Sequence, residues 1–264
     1  MTGRLELRDV TRSFEARGRN RLVALDRLDL IIAPGQIVAL IGPNGSGKST
    51  ALRLMAGLLG PDRGQVLLDG SPITRPDPRI GLVFQEPRLL PWRSVASNVA
   101  YPLELAGWPR PERERRVGEL LGLVGLTAAS ALVPSRLSGG MRQRAALARG
   151  LALSPEILLL DEPLSALDEL TRERLNLELL GLWAADPTTI VVVTHSIPEA
   201  LLLADRVVVL SARPGRVVAD VRIALPRPRR LELLDEPEAG ELAAAVRRAL
   251  ASSIPGPSIE ASAA

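Results

Sequence analysis

A chain of 264 residues with 46% hydrophobic and 24% charged residues has the balance of a globular protein, with room for one large domain or a core plus a subdomain. No apolar run reaches the ~18–20 residues that cross a bilayer, the opening MTGRLELRDV lacks the apolar stretch of a signal peptide, and the lack of cysteine removes disulfide frameworks and thiolate metal sites, as a reducing cytosol allows. The net charge is only +3 although the pI is near 10.3, and aromatics are 2%, too few for a base-stacking platform, so nucleic acid is disfavoured as a partner.

Taken in order, residues 4–10 alternate as a strand does, and a second strand follows over 22–32 after a polar stretch that contains Phe14. Pro34-Gly35 marks a turn. Residues 37–41 (IVALI) read as a β-branched strand, then comes the loop Gly42-Pro43-Asn44-Gly45-Ser46-Gly47, and a helix opens at Lys48-Ser49-Thr50. The stretch fits G-x-x-x-x-G-K-[ST] without a gap. Its glycines let successive N–H groups point into one concavity suited to phosphate oxygens, and the helix N-terminus adds its unpaired donors. Lys48 brings a positive charge to the outer phosphates, and the Ser49 hydroxyl suits Mg²⁺. Of the 33 Lys and Arg residues, Lys48 is the one lysine, so the single compact ammonium stands where a point charge is needed.

Strands are expected over 65–69 and 79–84, so that antiparallel strands flank a parallel αβ core. From residue 85 the character changes. FQEPRLLPWRSVASNVAYPLELAGW reads as an exposed connector with Pro and Trp, residues 113–126 as a helix, and LSGGMRQRAALARG as a further helix with Ala145, Ala146, Leu147 and Leu151 on one side. The core resumes with a doubly buried strand at 156–161, a helix over 168–184, a strand at 189–194, a short helix at 199–203 and a strand at 206–211. A hairpin turning at Gly215-Arg216, a Pro/Arg linker at 225–230, a helix near 241–250 and a disordered tail complete the chain.

Leu158-Leu159-Leu160-Asp161-Glu162 sets two carboxylates at the C-terminal end of a core strand, the edge where ligands bind in open parallel sheets. Alone, such a pair is also a solvated strand cap. Beside the phosphate loop, Asp161 suits Mg²⁺ and Glu162 suits orienting or deprotonating an attacking water. Ser138 is an N-cap residue before Gly139, Gly140 and a helix, a second anion-binding terminus. One nucleotide does not need two such termini on one chain unless the second faces a neighbour's nucleotide. In isolation, the segment is a Ser-capped helix start.

GPNGSGKST, Phe84-Gln85, LSGGMRQR, LLLDEP, SALD at 165–168 and VTH ending at His195 stand together in the order of the ATP-binding subunits of ABC transporters, and over residues 5–211 the chain resembles that family. The resemblance implies an α/β fold: a P-loop NTPase (RecA-like) parallel-sheet core with an antiparallel β subdomain (1–86 and 155–213), an inserted helical subdomain (87–154) and a C-terminal extension (214–264). It implies an ATPase using ATP and Mg²⁺ in a head-to-tail dimer, a homodimer or a pair with a second ATPase subunit. Ser138, Gly139, Gly140 and Gln143 of one copy would close over the loop of the other, with Asp168 at the seam. Phe14 would stack on adenine where Tyr is more usual, and Gln85 would touch Mg²⁺ and the attacking water. His195 would contact the γ-phosphate, and Ser196 stands where the family commonly has Asp.

FQEPRLLPW with the following RSVASNVAYPLELAG is similar to the nitrate/sulfonate/taurine branch of importers. That implies a peripheral protein on the cytoplasmic membrane face, a permease met by Pro91-Trp92, and an extracytoplasmic solute-binding protein served through it. Packing within the helical subdomain is the other reading of Trp92. Two rival classes are a soluble ABC-type ATPase, expected to carry tandem cassettes or a coiled-coil insertion, and a non-catalytic nucleotide-binding module, expected to have damaged motifs. The chain has one cassette, no heptad run and intact Lys48, Asp161, Glu162 and His195.

Overall fold

The computed structural model describes residues 3–15, 21–165, 167–185 and 187–253. Ala166 of the SALD motif, positions 16–20 of the first polar stretch and the tail 254–264 lie outside the described residues. In chain order the elements are β1 (Leu5–Glu15), β2 (Arg21–Ile32), β3 (Ile37–Ile41), α1 (Lys48–Met55), β4 (Arg63–Leu68), β5 (Ser71–Pro72), β6 (Ile80–Val83), α2 (Val95–Leu105), α3 (Arg110–Leu123), α4 (Gly139–Gly150), β7 (Ile157–Asp161), α5 (Glu169–Ala185), β8 (Thr189–Val193), α6 (Ile197–Leu203), β9 (Arg206–Leu210), β10 (Val217–Arg222) and α7 (Pro237–Ser252).

Two sheets form. One is antiparallel, ordered β2-β1-β4-β5; the other is ordered β10-β9-β3-β8-β7-β6, parallel except for β10 at its edge. Every residue of β3, β7 and β8 is buried, because both faces of the parallel sheet are covered. Side chains alternate between the faces. Val38, Leu40, Leu159, Val191 and Val208 pack with α1 and the antiparallel sheet, whereas Ala39, Ile41, Leu160, Val192 and Val209 pack toward the remaining helices.

The segment expected to be an exposed connector differs from that expectation. Its second half is α2, an eleven-residue helix capped by Ser94, whose Oγ accepts from the Ser97 N–H. Val95, Val99 and Leu103 fall on one face and are completely buried. Three such side chains contribute ~1.5–3 kcal/mol each, which outweighs the ~3 kcal/mol that Pro102 costs inside a helix. Buried Asn98 ties the preceding loop to this helix. It accepts from the Leu90 N–H at 2.7 Å and donates to the carbonyls of Leu90, Arg93 and Ser94 at 3.0–3.1 Å. Beyond Arg213, β10 pairs antiparallel with β9, and α7 packs on α6, β9 and β10.

Candidate functional site

The phosphate-type loop leaves β3 and enters α1 through Gly47, whose φ of +91° is a left-handed conformation that favours glycine. A Cβ there would also stand 2.6 Å from Leu25 and 2.8 Å from the Ala24 carbonyl, so the loop lies tight against β2. Lys48 folds back under the loop and donates to the carbonyls of Gly42 at 2.8 Å and Pro43 at 3.0 Å. Its burial lowers its pKa, and the charges of Glu162 and Asp161 oppose that shift.

The neighbouring strands bring the other candidates to the same sheet edge. The Ser49 hydroxyl donates to Asp161 Oδ1 at 3.0 Å. Burial raises the Asp161 pKa, with the Ser49 hydrogen bond acting against it. Glu162 leaves β7 with φ +46°, a strained conformation for a side chain of this size. The Gln85 amide, just beyond β6, donates to Glu162 Oε2 at 3.0 Å, and His195 Nδ1, just beyond β8, lies 3.7 Å from the same oxygen. Residues 110 positions apart thus meet because β6, β7 and β8 are parallel neighbours with their C-terminal ends aligned.

A cavity of about 450 Å³ opens here, walled by Asn44, Gly45, Gly47, Lys48, Ser49 and Thr50 together with Gln85, Glu162 and Phe14. The Phe14 ring is half-buried, with the Arg12 guanidinium 5.1 Å from its centre. Ser138, Gly139 and Gly140 are not in the wall of this cavity. Ser138 is an exposed N-cap whose Oγ accepts from the Met141 N–H at 3.2 Å. Gln143, expected to reach a neighbouring copy's nucleotide, is instead buried, and its amide donates to the Phe84 carbonyl at 3.3 Å. It ties α4 to the Gln85 segment, because its place one turn into the helix faces the sheet. Asp168 is exposed and accepts from the Thr171 N–H, which holds its carboxyl below the ordinary range.

Sequence reasoning missed two residues. Arg213 reaches the cavity from the loop between β9 and β10 and donates to the Gly45 carbonyl at 3.3 Å. Gly215 of that loop exchanges backbone hydrogen bonds with Ala24 and Asp26, and a Cβ there would stand 2.0 Å from the Ser46 carbonyl. The RPGR turn is therefore wedged beneath the phosphate loop. Nothing local in those four residues marks this, since it depends on β9 lying beside β3.

Ser49, Asp161 and Gln85 supply the hard oxygen donors that suit Mg²⁺. Among the described residues no group of three or more His, Cys, Asp and Glu could hold a metal unaided. Such a set fits an ion completed by phosphate oxygens and water.

Residues 25–165 match the family model described as ABC transporter. The chain is 48% identical over 219 residues to the taurine import ATP-binding protein of Sinorhizobium fredii, covering 82% of each chain. It is 50% identical over 200 residues to an aliphatic sulfonates import ATP-binding protein of Burkholderia lata, covering 76% of this chain and 72% of the other. Among solved structures, it resembles a dimeric ATP-binding cassette in a post-hydrolysis state bound to ADP and Pi. There the TM-score is 0.78 at 34% identity, covering 84% of this chain and all of the other.

Proposed function

Because the chain belongs to the ABC transporter family of ATP-binding proteins, which hydrolyse ATP, we propose that it is the ATPase subunit of an importer for a small organic or inorganic anion. The observation that carries the catalytic part is that Lys48, Gln85 and Glu162 share one cavity wall, with Asp161 hydrogen-bonded to Ser49 of that wall and His195 beside Glu162. In this reading the N–H groups of Gly42, Asn44, Gly45, Ser46, Gly47, Ser49 and Thr50, with the Lys48 ammonium, cradle the phosphates; Pro43, which has no N–H, shapes the loop, and Phe14 stacks on the adenine. Bound Mg²⁺ would neutralise charge between the outer phosphates, held by Ser49, Asp161 and Gln85. Glu162 accepts the proton of the attacking water, Gln85 holds that carboxylate in orientation, and His195 donates to the γ-phosphate.

The second half of the site comes from another copy. Ser138, Gly139 and Gly140 present an exposed, capped helix N-terminus that no group of the same chain's nucleotide cavity meets, and the solved relative is a dimer. Asp168 lies at the seam in this arrangement, and Gln143 acts through its bond to Phe84 rather than on the nucleotide. Residues 87–154 form the helical unit that carries this terminus, 1–86 and 155–213 the nucleotide-binding unit, and 214–264 an appended segment.

The import part draws on the taurine and sulfonate import relatives. Among the described residues, no helix is long and apolar enough to cross a membrane, so permease subunits would supply the pathway. Trp92 is 75% exposed, which disfavours packing as its role, and Leu105 is 72% exposed. Leu105 joins Phe84, Leu90 and Tyr101 around an apolar cavity of about 370 Å³ that would take a permease helix at the cytoplasmic membrane face. The solute-binding protein would engage only the permease. Phosphate release from MgATP by the purified chain, abolished by Lys48→Ala, tests the ATPase. A pull-down from detergent-solubilised membranes tests the partner: recovery of the chain without a membrane protein favours a soluble ATPase.

A further inference from the structure

A second polar cavity, of about 590 Å³, lies at the opposite edge of the parallel sheet from the phosphate loop. Gln36 before β3, Asp205 before β9, and Arg206, Arg222, Arg227 and Arg229 form its wall. The charges there do not balance. Arg206 is taken up by Asp220, through both Nε and Nη2, and by the Ile31 carbonyl at 2.8 Å. Arg227 is taken up by Asp205 at 2.6 Å and stacks on Trp183 at 4.0 Å. Asp205 also accepts the Ile37 N–H. That uses both carboxylates and leaves two guanidinium groups.

The first of these is Arg229, whose side chain is 1% exposed. Its Nη atoms donate to the carbonyls of Leu201 at 2.8 Å, Ala204 at 2.5 Å and Ile223 at 3.2 Å. Its Nε has no partner, and its nearest carboxylate, 3.9 Å away, is the one Arg227 already holds. Burial, together with the Arg227 charge, lowers its pKa to about 10. The other is Arg222, exposed on the edge strand β10 with no carboxylate within ion-pair distance among the described residues. A buried cation served by carbonyl dipoles and a 3.9 Å share of one carboxylate remains costly, and a further counter-ion offsets that cost. Guanidinium forks match tetrahedral and planar oxyanions in shape.

We propose that this cavity is a binding site for a small oxyanion, such as a sulfate, a phosphate or a short-chain sulfonate, held by Arg222 and Arg229. The site is separate from the nucleotide cavity. Arg229 grips the C-terminal end of α6, and α6 begins at Ser196's neighbour Ile197, two residues after His195.

The test titrates sulfate and ethanesulfonate separately against chloride at matched ionic strength, with MgADP saturating the phosphate loop. Calorimetry and thermal melting of the full chain are the readouts. The site predicts saturable stabilisation above chloride, and a loss of affinity of about tenfold or more in Arg222→Glu. That variant's ATPase without added oxyanion should stay within about twofold of wild type. Arg222 is on an exposed edge, so the variant folds even if Arg229→Gln does not. Response to sulfate alone assigns an inorganic ligand, and response to ethanesulfonate assigns an organic one. No saturable binding of either anion, or equal binding by Arg222→Glu, overturns the proposal.

Discussion

Replacing Glu162 by Gln keeps the shape of the side chain and removes its ability to take a proton. In the structure Glu162 Oε2 accepts from Gln85 at 3.0 Å, and the carboxylate sits at the end of a fully buried strand, so the amide occupies the same place. Neither the strand nor the phosphate loop loses a contact, and melting should shift by no more than a degree or two. The chemical step loses its base, worth ~10²–10⁴ in rate, equivalent to about 2.7–5.4 kcal/mol in the barrier. The assay is phosphate release at saturating MgATP, with ATP affinity measured in parallel by a fluorescent analogue. The expected result is a kcat lowered by that factor with affinity within about threefold of wild type. A near wild-type kcat removes Glu162 from the base role, and a parallel loss of affinity and melting temperature shows that the carboxylate is structural.

Gly215→Ala pushes a methyl group against the Ser46 carbonyl, 2.0 Å from an undisturbed Cβ. Overpacking of ~1–3 kcal/mol should lift the RPGR turn off the phosphate loop and weaken nucleotide binding on the order of tenfold, read by fluorescent-nucleotide titration; unchanged binding means the turn yields freely. Asn98→Ala removes four hydrogen bonds in a site with no solvent access, leaving the Arg93 carbonyl and the Leu90 N–H without partners, whereas the Leu90 and Ser94 carbonyls keep their backbone bonds from Arg93 and residue 98. A loss of ~2–4 kcal/mol lowers the melting temperature by about 5–15 °C. Glu199 is buried, accepts from the Thr194 hydroxyl, and has its pKa raised chiefly by desolvation. The folded chain therefore binds the proton more tightly than the unfolded chain, so stability falls as pH rises from about 4.5 through the folded-state pKa. Glu199→Gln should flatten that part of a denaturant-midpoint versus pH curve, and an unaltered slope assigns the dependence to other groups.

What the sequence disclosed, and what it did not, follows from how far apart the relevant residues lie. The phosphate loop could be read at once because its strand, glycines, Lys48 and helix are contiguous and each acts through local backbone geometry. Asp161, Glu162 and His195 could be read because they end apolar runs, and parallel strands align their ends. The α2 helix was hidden by Pro91, Trp92 and Pro102, which read as loop residues. The signal that outweighed them was present in Val95, Val99 and Leu103, four residues apart. Arg213 and Gly215 were beyond reach, because their function depends on a turn packing under a loop some 170 positions earlier in the chain. Gln143 shows the converse limit. A motif assigns it to the helix that faces a neighbour, but helical phase turns its side chain inward onto Phe84.

The central claim is that each ATP is hydrolysed between the phosphate loop of one copy and the Ser138 terminus of another. Mixing two inactive variants tests it most directly. Lys48→Ala damages the loop and Ser138→Arg blocks the opposing terminus, so in a mixed pair both lesions fall on one site and the other site is intact. The account predicts that each variant alone is inactive, and that an equimolar mixture recovers on the order of a quarter of wild-type phosphate release, since half of the pairs are mixed and each keeps one of two sites. No recovery on mixing, or full activity of Ser138→Arg alone, would contradict it.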